Sequence, residues 1–376
     1  MNFRPNKKLG FGLMRLPQNG PKSSDVDVEE VKRMVDHFIE KGFTYFDTAW
    51  MYAGFNSENV AREALVERYP RDKFTLSDKL HSGFFNSLED RDKVFNEQLR
   101  KTGVEYFDYY LLHGIEAGSL EKYEEFDCFN WLLEKKKAGL VKHVGFSYHD
   151  SAELLDKILT DHPEMEFVQI QLNYLDWESQ WIQSRKCYEV TCKHQKPVIV
   201  MEPVKGGTLA KLPEEAERIF KEYNPNMSIP SWAIRFAASL PNVMVVLSGM
   251  SNMEQMKDNT SYMEEMQVIT FQERLMCFTV ADIINSQIAV PCTACHYCTE
   301  GCPMNICIPE YFSIYNEDMR EHLEEKGWTI NFTNYDTLAK THGKASECIE
   351  CGQCEGVCPQ HLPIIETLKK VAEHYE

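Results

Sequence analysis

Two runs of cysteine set the strongest constraint on how this chain can fold. Cys292-x₂-Cys295-x₂-Cys298-x₃-Cys302-Pro303 is followed by Cys348-x₂-Cys351-x₂-Cys354-x₃-Cys358-Pro359. Nine of the thirteen cysteines lie from Cys292 to Cys358, whereas Cys128, Cys187, Cys192 and Cys277 are scattered ahead of them. Such a concentration marks a second domain that begins near residue 285. The first eight residues, Met1 to Lys8, carry bases with no apolar segment behind them; no secretory signal is read, and residence in the cytoplasm is expected. That compartment keeps thiols reduced, so the cysteines are expected as metal ligands rather than as disulfides.

Three cysteines so closely spaced bring thiolates to three corners of one iron–sulfur cubane, and in two-cluster ferredoxins the fourth cysteine of each run ligates the other cluster. The spacing therefore assigns Cys292, Cys295, Cys298 and Cys358 to one 4Fe-4S centre. Cys348, Cys351, Cys354 and Cys302 fall to the other. Zinc is the alternative, although four ligands per ion do not account for two four-cysteine runs that each end in Cys-Pro. Cys307 stands outside both runs and reads as a buried thiol. Residues 303–347 separate the runs and hold two helical-looking stretches, 310–326 and 335–342. In this long separation the segment resembles the alpha-helical ferredoxin domain of respiratory and anaerobic oxidoreductases. With ligands shared across the two runs, loss of iron is expected to unfold the domain.

The preceding residues alternate strand-like apolar runs with stretches of helical period. Strands are predicted at 9–13, 44–48, 74–77, 107–112, 141–146, 167–172, 197–201 and 243–247. Helices are predicted at 28–41, with Val31, Met34, Val35 and Phe38 on one face, and at 57–68, 90–102, 122–138, 151–160, 178–192, 228–240 and 253–266. Eight strand–helix units over about 260 residues match a parallel (β/α)₈ TIM barrel, in which active-site groups stand on the loops after the strands. A doubly wound open sheet competes, but no Gly-rich dinucleotide fingerprint follows the first strand. The expected class is thus α/β, with a barrel over 1–270, a connecting helix over 271–287 and a small, mainly helical ferredoxin-like domain over 288–376.

At 376 residues, with 43% hydrophobic and 26% charged side chains, the chain can bury one large core and a smaller one. No apolar run approaches the roughly 20 residues that cross a bilayer. A net charge of −18 repels phosphate backbones, so neither a membrane span nor nucleic-acid binding is expected.

The second predicted strand runs into Asp47-Thr48-Ala49-Trp50-Met51-Tyr52, the third into Ser77-Asp78-Lys79 and the fourth into Leu111-Leu112-His113-Gly114. On a barrel these ends converge on one face, which gathers Asp47, Tyr52, Lys79 and His113 into one pocket. The set suits proton delivery. An ammonium beside a phenol draws its pKa down from about 10 into a useful range, Asp47 holds and balances Lys79, and His113 orients a carbonyl oxygen. Singly, Tyr52 reads as a packed aromatic, Asp47 as a cap, Lys79 as a solvated base and His113 as a core imidazole; their joint placement favours a site. Through Asp47-Thr48-Ala49, Tyr52 five residues after the aspartate, Ser57-Glu58 opening the next helix, Lys79 and His113, the chain resembles the aldo-keto reductase superfamily over about residues 8–265. The resemblance implies that a nicotinamide gives a hydride to an aldehyde or ketone while Tyr52 gives the proton, supported by Lys79, Asp47 and His113.

Gly145-Phe146-Ser147, Gln171-Leu172-Asn173 and Ser248-Gly249-Met250-Ser251 through Asn259 look like the cofactor groove of the same family. The resemblance gives Ser147 and Gln171 to the carboxamide of NAD or NADP. It gives Gly249, Met250, Ser251, Gln255 and Asn259 to the phosphate and adenine ends, in keeping with barrel phosphate sites near the last two strands. The chain departs from the pattern in three places. Tyr148 follows Ser147 where an asparagine is usual, and Met201-Glu202-Pro203 stands where many members stack an aromatic on the nicotinamide. Residues 251–259 hold no arginine and only Lys257 as a base, which weakens recognition of a 2′-phosphate. Trp50, Tyr52, Phe84, Phe85 and Trp177 are candidates for an aromatic pocket.

The expected activity is reduction of a small carbonyl compound by an enzyme that is coupled to, or stapled by, two clusters. A hydride carries two electrons and a cluster passes one, and dividing the pair ordinarily falls to a flavin. No flavin motif is read, yet the phosphate site leaves room for FMN in the alternative of a reductase fed through the clusters by a redox partner protein. A non-catalytic electron-transfer module is the further alternative, and the intact tetrad argues against it.

Overall fold

The computed structural model describes residues 4–179, 182–320 and 329–376. Eight parallel strands close into a barrel: β1 (Leu9–Gly12), β2 (Tyr45–Asp47), β3 (Thr75–His81), β4 (Phe107–Ile115), β5 (Val141–Tyr148), β6 (Phe167–Gln171), β7 (Val198–Met201) and β8 (Val243–Ser248). Each pairs with the next, and β8 returns to β1 with Gly10 opposite Leu247. The strands are buried along nearly their whole length, as expected where helices cover the outer face of a parallel sheet.

Strand alternation places the chemistry. Residues two apart point the same way, and Tyr45, Tyr109, Leu111, Phe167, Ile199, Val245 and Leu247 fill one apolar cluster inside the barrel. On the same rows, two or more residues further along, stand Asp47, His113 and Gln171, while Lys79 lies opposite Leu111. Each row therefore begins apolar and ends polar at the carboxyl end of its strand. Gly10 is needed in this layer, since a Cβ there would come within 2.8 Å of Leu247.

The helix Val28–Glu40 is capped by Asp27 and buries Val31, Met34, Val35 and Phe38, as its period predicts. The helix Leu88–Thr102 starts on the Ser87 cap and stops at Gly103, whose φ of 72° is left-handed. Elsewhere the period hid breaks. The stretch expected as one helix over 122–138 is two, Ala117–Glu125 and Cys128–Lys137, parted at Asp127 with φ 50°. The stretch expected over 57–68 is α-helical only for Ser57–Ala61 and continues as a π-turn over Arg62–Val66. The helix expected over 178–192 starts at Ser184, after Gln183 at φ 54°, and residues 180–181 lie outside the described residues. The strand expected to end at 77 runs on to His81, so Lys79 belongs to the strand rather than to the loop after it.

The chain divides into two compact units, Met1–Val204 with Asn226–Arg274, and Lys205–Pro225 with Leu275–Glu376. The segment 205–225 lies within the stretch expected as the barrel domain and packs with the second unit. Its helix Glu214–Tyr223 is one that sequence reasoning missed. The helix Phe271–Gln287 has the expected bounds. In the second unit, helices Ile308–Arg320, Ile330–Leu338 and Ile364–Tyr375 pack around Tyr311, Phe312, Tyr335, Leu368 and Val371. The first was expected over 310–326, of which 321–326 lie outside the described residues; the second was expected over 335–342 and stands earlier in the chain. Asp318, 2% exposed, ties all three by accepting from Asn331, His374 and Tyr375. Among the described residues no helix is long and apolar enough to cross a membrane.

Candidate functional site

The loop after β2 is held by side chains rather than by regular structure. Thr48 and Ser57 share a hydroxyl hydrogen bond of 2.7 Å, and Ser57 Oγ donates to the Leu13 carbonyl at 3.0 Å. Ala53, Gly54 and Phe55 are all left-handed, with φ 49°, 58° and 67°, and the buried Glu58–Lys101 ion pair pins the far end, Lys101 also donating to the Phe55 carbonyl. Ser57-Glu58 therefore anchors the turn that presents Tyr52.

Lys79, fully buried, donates to Asp47 Oδ2 at 2.6 Å and to the Thr48 carbonyl at 2.7 Å. Its ammonium stands 5.0 Å from the centre of the Tyr52 ring. His113 meets the same ring edge-on at 5.9 Å. The structure thus gathers Asp47, Tyr52, Lys79 and His113 at one place. Asp78, which points the other way on β3, instead accepts from Gln98 on the helix behind the sheet.

Burial governs the titration of this set. The Asp47 carboxyl is raised by desolvation, against the pull of Lys79. Tyr52 departs from expectation: its phenol lies well above the ordinary 10, first through burial and then through the negative charges of Asp47 and Glu202. The ammonium does not draw the phenol down, because its charge is directed at Asp47 and Thr48. Burial therefore favours the protonated phenol over the phenolate. His113 lies well below 6.5 through burial, then through His81 and Lys79. Among the described residues its buried Nδ1 has no partner; a bare lone pair there costs less than a stranded N–H, which favours the tautomer with the proton on Nε2.

Sequence reasoning gave three groups here no functional part. His81, two residues beyond Lys79 on β3, faces His113 edge-on at 5.3 Å. Gly83 N–H donates to its Nδ1 at 2.9 Å, which leaves Nε2 to carry the proton, and burial lowers its pKa to about 4. Arg15, in the loop after β1, has its carbonyl bonded by Ser251 Oγ at 2.8 Å, packs its side chain against Gly249, and reaches within 4.0 Å of Glu202. Glu202, at the end of β7, holds a left-handed φ of 53° without being glycine, a strained geometry of the kind that clusters at functional sites. A search for bases confined to 251–259 could not find Arg15; its place directly after the first strand was the available signal.

The residues expected in a cofactor groove stand at the carboxyl ends of β5 and β6 and on the turn and helix, Met253–Met263, that follow β8. Ser147 Oγ accepts from Gly114 N–H at 2.7 Å, which leaves its own proton to give. Gln171 and Asn173 both donate to Asp176. Gln255 accepts from Ser251 N–H at 2.7 Å, and buried Asn259 bonds Ser248 and Tyr262; Gly249 and Met250 form the turn between. The donor set is of a kind that fits an anionic dinucleotide, and Arg15 is an arginine of the sort that 251–259 lacks. Of the aromatic candidates, Trp50 and Phe84 meet at 6.3 Å, joined by Phe55 and His81. Phe85 packs instead on Tyr123 and Phe126, and Trp177 on Tyr188 and Phe236.

In the second unit, Cys292, Cys295, Cys298 and Cys358 line one cavity of about 310 Å³, part of it open to solvent, with Ile308, Phe312 and Leu362. Cys302, Cys348, Cys351 and Cys354 line another of about 320 Å³ with Ile306, Ile349 and Leu368. Burial and the facing Cys292, Cys295 and Cys358 push the Cys298 thiol up to about 12. Among the described residues no three His, Cys, Asp or Glu side chains converge as ligands of a single ion. Thiols set round an apolar hollow suit a multi-iron group, whose corners they would meet one by one. Cys307 is buried in the core and lines neither cavity.

Residues 8–273 match the family model described as "Aldo/keto reductase family", and residues 291–362 match "4Fe-4S dicluster domain". Among curated proteins, the "Uncharacterized oxidoreductase YqkF" of Bacillus subtilis (strain 168) is 23% identical over 291 residues, 67% of this chain and 89% of that protein. An "Aldo-keto reductase" of Mycobacterium avium (strain 104) is 27% identical over 255 residues, 67% of this chain and 78% of that protein. Among solved structures, an aldo/keto reductase from Klebsiella pneumoniae in complex with NADP and acetate aligns with a TM-score of 0.60 at 17% identity, covering 75% of this chain and 96% of that one. The holo form of AKR11C1 from Bacillus halodurans aligns at 0.57 and 22%, covering 73% and 91%. These likenesses agree with the observed barrel.

Proposed function

Since the chain belongs to the aldo/keto reductase family and carries a 4Fe-4S dicluster domain, we propose that it reduces a small aldehyde or ketone with NAD(P)H, Tyr52 delivering the proton. The observation that carries this reading is the buried Asp47–Lys79 pair set against the Tyr52 ring beside His113. Bound in the groove, a reduced nicotinamide would supply the hydride. Ser147 and Gln171 would hold its carboxamide, and Gly249, Met250, Ser251, Gln255, Asn259 and Arg15 would face the phosphates and adenine. His113 Nε2–H orients the substrate oxygen, and Tyr52 O–H meets the charge that develops there. Trp50, Phe55 and Phe84 favour a substrate with a flat or apolar body. Cys292, Cys295, Cys298 and Cys358 would ligate one 4Fe-4S cluster, and Cys302, Cys348, Cys351 and Cys354 the other. Anaerobic assay of NAD(P)H oxidation against a panel of aromatic and aliphatic aldehydes and ketones tests the reading; no carbonyl-dependent oxidation with any of them would overturn it.

The pH response has a definite sign. Tyr52 must be protonated to act and its raised pKa keeps it so as pH climbs; His81 and His113, both lowered, stay neutral as pH falls. We expect kcat/KM for reduction to vary less than about twofold from about pH 5.5 to 9. An inflection near 6.5, where an ordinary histidine titrates, would contradict the assignment.

Arg15→Met should weaken NAD(P)H binding by about 10-fold, the worth of one charge-assisted hydrogen bond, with kcat at saturating cofactor within about threefold. Fluorescence titration of NADPH reads this directly, and unchanged affinity would remove Arg15 from the groove.

A further inference from the structure

The loop Lys205-Gly206-Gly207, which belongs to the second unit, touches both cysteine-bearing segments of the first cavity. Its three residues are left-handed in succession, with φ 47°, 63° and 108°. A Cβ on Gly206 would lie 2.3 Å from the Thr293 carbonyl oxygen, so only glycine lets this backbone press on the segment between Cys292 and Cys295. Lys205, 3% exposed, donates from Nζ to Gln360 Oε1 at 3.0 Å, two residues beyond Cys358. Thr293 and Gln360 both line the first cavity.

We propose that Lys205 sets the reduction potential of the cluster held by Cys292, Cys295, Cys298 and Cys358 above that of the cluster held by Cys302, Cys348, Cys351 and Cys354. Reduction adds one electron to a group that is already anionic, with no bond to the protein broken and no proton required. A buried ammonium close by stabilises the added charge far more than an exposed one, because the interaction is little screened. Nearby charge and hydrogen bonding are among the levers a protein has on cluster potential.

The other charges do not remove this asymmetry. Each cavity has a carboxylate acting on a cysteine, Glu310 on Cys292 and Glu355 on Cys354. Glu310 is itself 3.6 Å from His296. The second cavity has a cation too, since Lys369 and Cys348 interact, but Lys369 is exposed and screened by water. The first cavity alone has a buried lysine bonded to its lining, among the described residues. An electron entering from a one-electron donor would then settle on the first cluster.

This inference rests on the ligand assignment made above, and iron and sulfide analysis of the anaerobically purified protein tests that assignment separately. The experiment is a dithionite titration of the intact protein followed by electron paramagnetic resonance. Two waves are expected, and Lys205→Met should move the higher one downward. At the potential where half of that cluster is reduced in the parent protein, on the order of tenfold less should be reduced in the variant. Lys205→Arg should restore the wave. Gln360→Leu should move the same wave, and Gln353→Leu, from the lining of the second cavity, only the other. Should Lys205→Met lose iron, Lys205→Gln and Lys205→Arg carry the comparison. Full iron content with both waves unmoved, or both moved equally, overturns the proposal.

Discussion

Replacing Tyr52 by phenylalanine is expected to lower kcat for carbonyl reduction by about 10²–10⁴-fold while NADPH binding, read by fluorescence, stays within about twofold. The substitution is a clean one. The ring is 9% exposed and keeps its contacts with Lys79 and His113. Lys79 keeps its bonds to Asp47 and the Thr48 carbonyl when the hydroxyl goes, so that buried ammonium is not stranded. Lys79→Met would be a poorer probe, since it abandons the Asp47 carboxylate in the interior at a cost of about 3–5 kcal/mol and confuses folding with chemistry. Turnover unchanged in Tyr52→Phe would reject the proton donor and with it the proposed reaction.

The second large effect concerns iron. Anaerobic chelation is expected to unfold the C-terminal segment rather than merely bleach it, with protease cuts appearing after residue 275 and near-ultraviolet dichroism lost. The cysteine loops have little regular structure of their own; Tyr297–Glu300 and Gln353–Gly356 are single turns. They also hold five non-glycine residues in left-handed backbone, Ala294, His296, Asn305, Glu350 and His361. At about 1–2 kcal/mol each, that cost rivals the whole stability of a small domain, roughly 5–15 kcal/mol. Something must offset it, and ligation by the eight thiolates would do so. A chelated protein that kept its protease resistance and its thermal transition would show that the loops stand without metal.

What the sequence disclosed follows from the range of the forces involved. The eight strands and the helix Val28–Glu40 were legible because a two-residue or 3.6-residue apolar period is a local property. The break at Asp127 and the π-turn at Arg62–Val66 left no such mark, since each is imposed by packing against neighbours. In the site, Asp47, Tyr52, Lys79 and His113 were named before their contacts were known, and the structure brings them together. The direction of the Tyr52 pKa shift differs from the expectation, burial outweighing the nearby ammonium. Spacing shows that an ammonium is near but not where its charge is directed, nor how thoroughly water is excluded. Arg15 and His81 were overlooked because each acquires its meaning from a residue distant in the chain, Ser251 for one and His113 for the other.

The exchange of the fourth cysteines has a consequence for biosynthesis. The cavity lined by Cys292, Cys295 and Cys298 is completed by Cys358, and the one lined by Cys348, Cys351 and Cys354 is completed by Cys302. A nascent polypeptide that has not yet released Cys358 from the ribosome can offer the first centre three anchors out of four, and before Cys348 emerges it can offer the second just one. If clusters are held there, completing either one would wait until the second cysteine run has been made, so that loading would report on synthesis through Cys358.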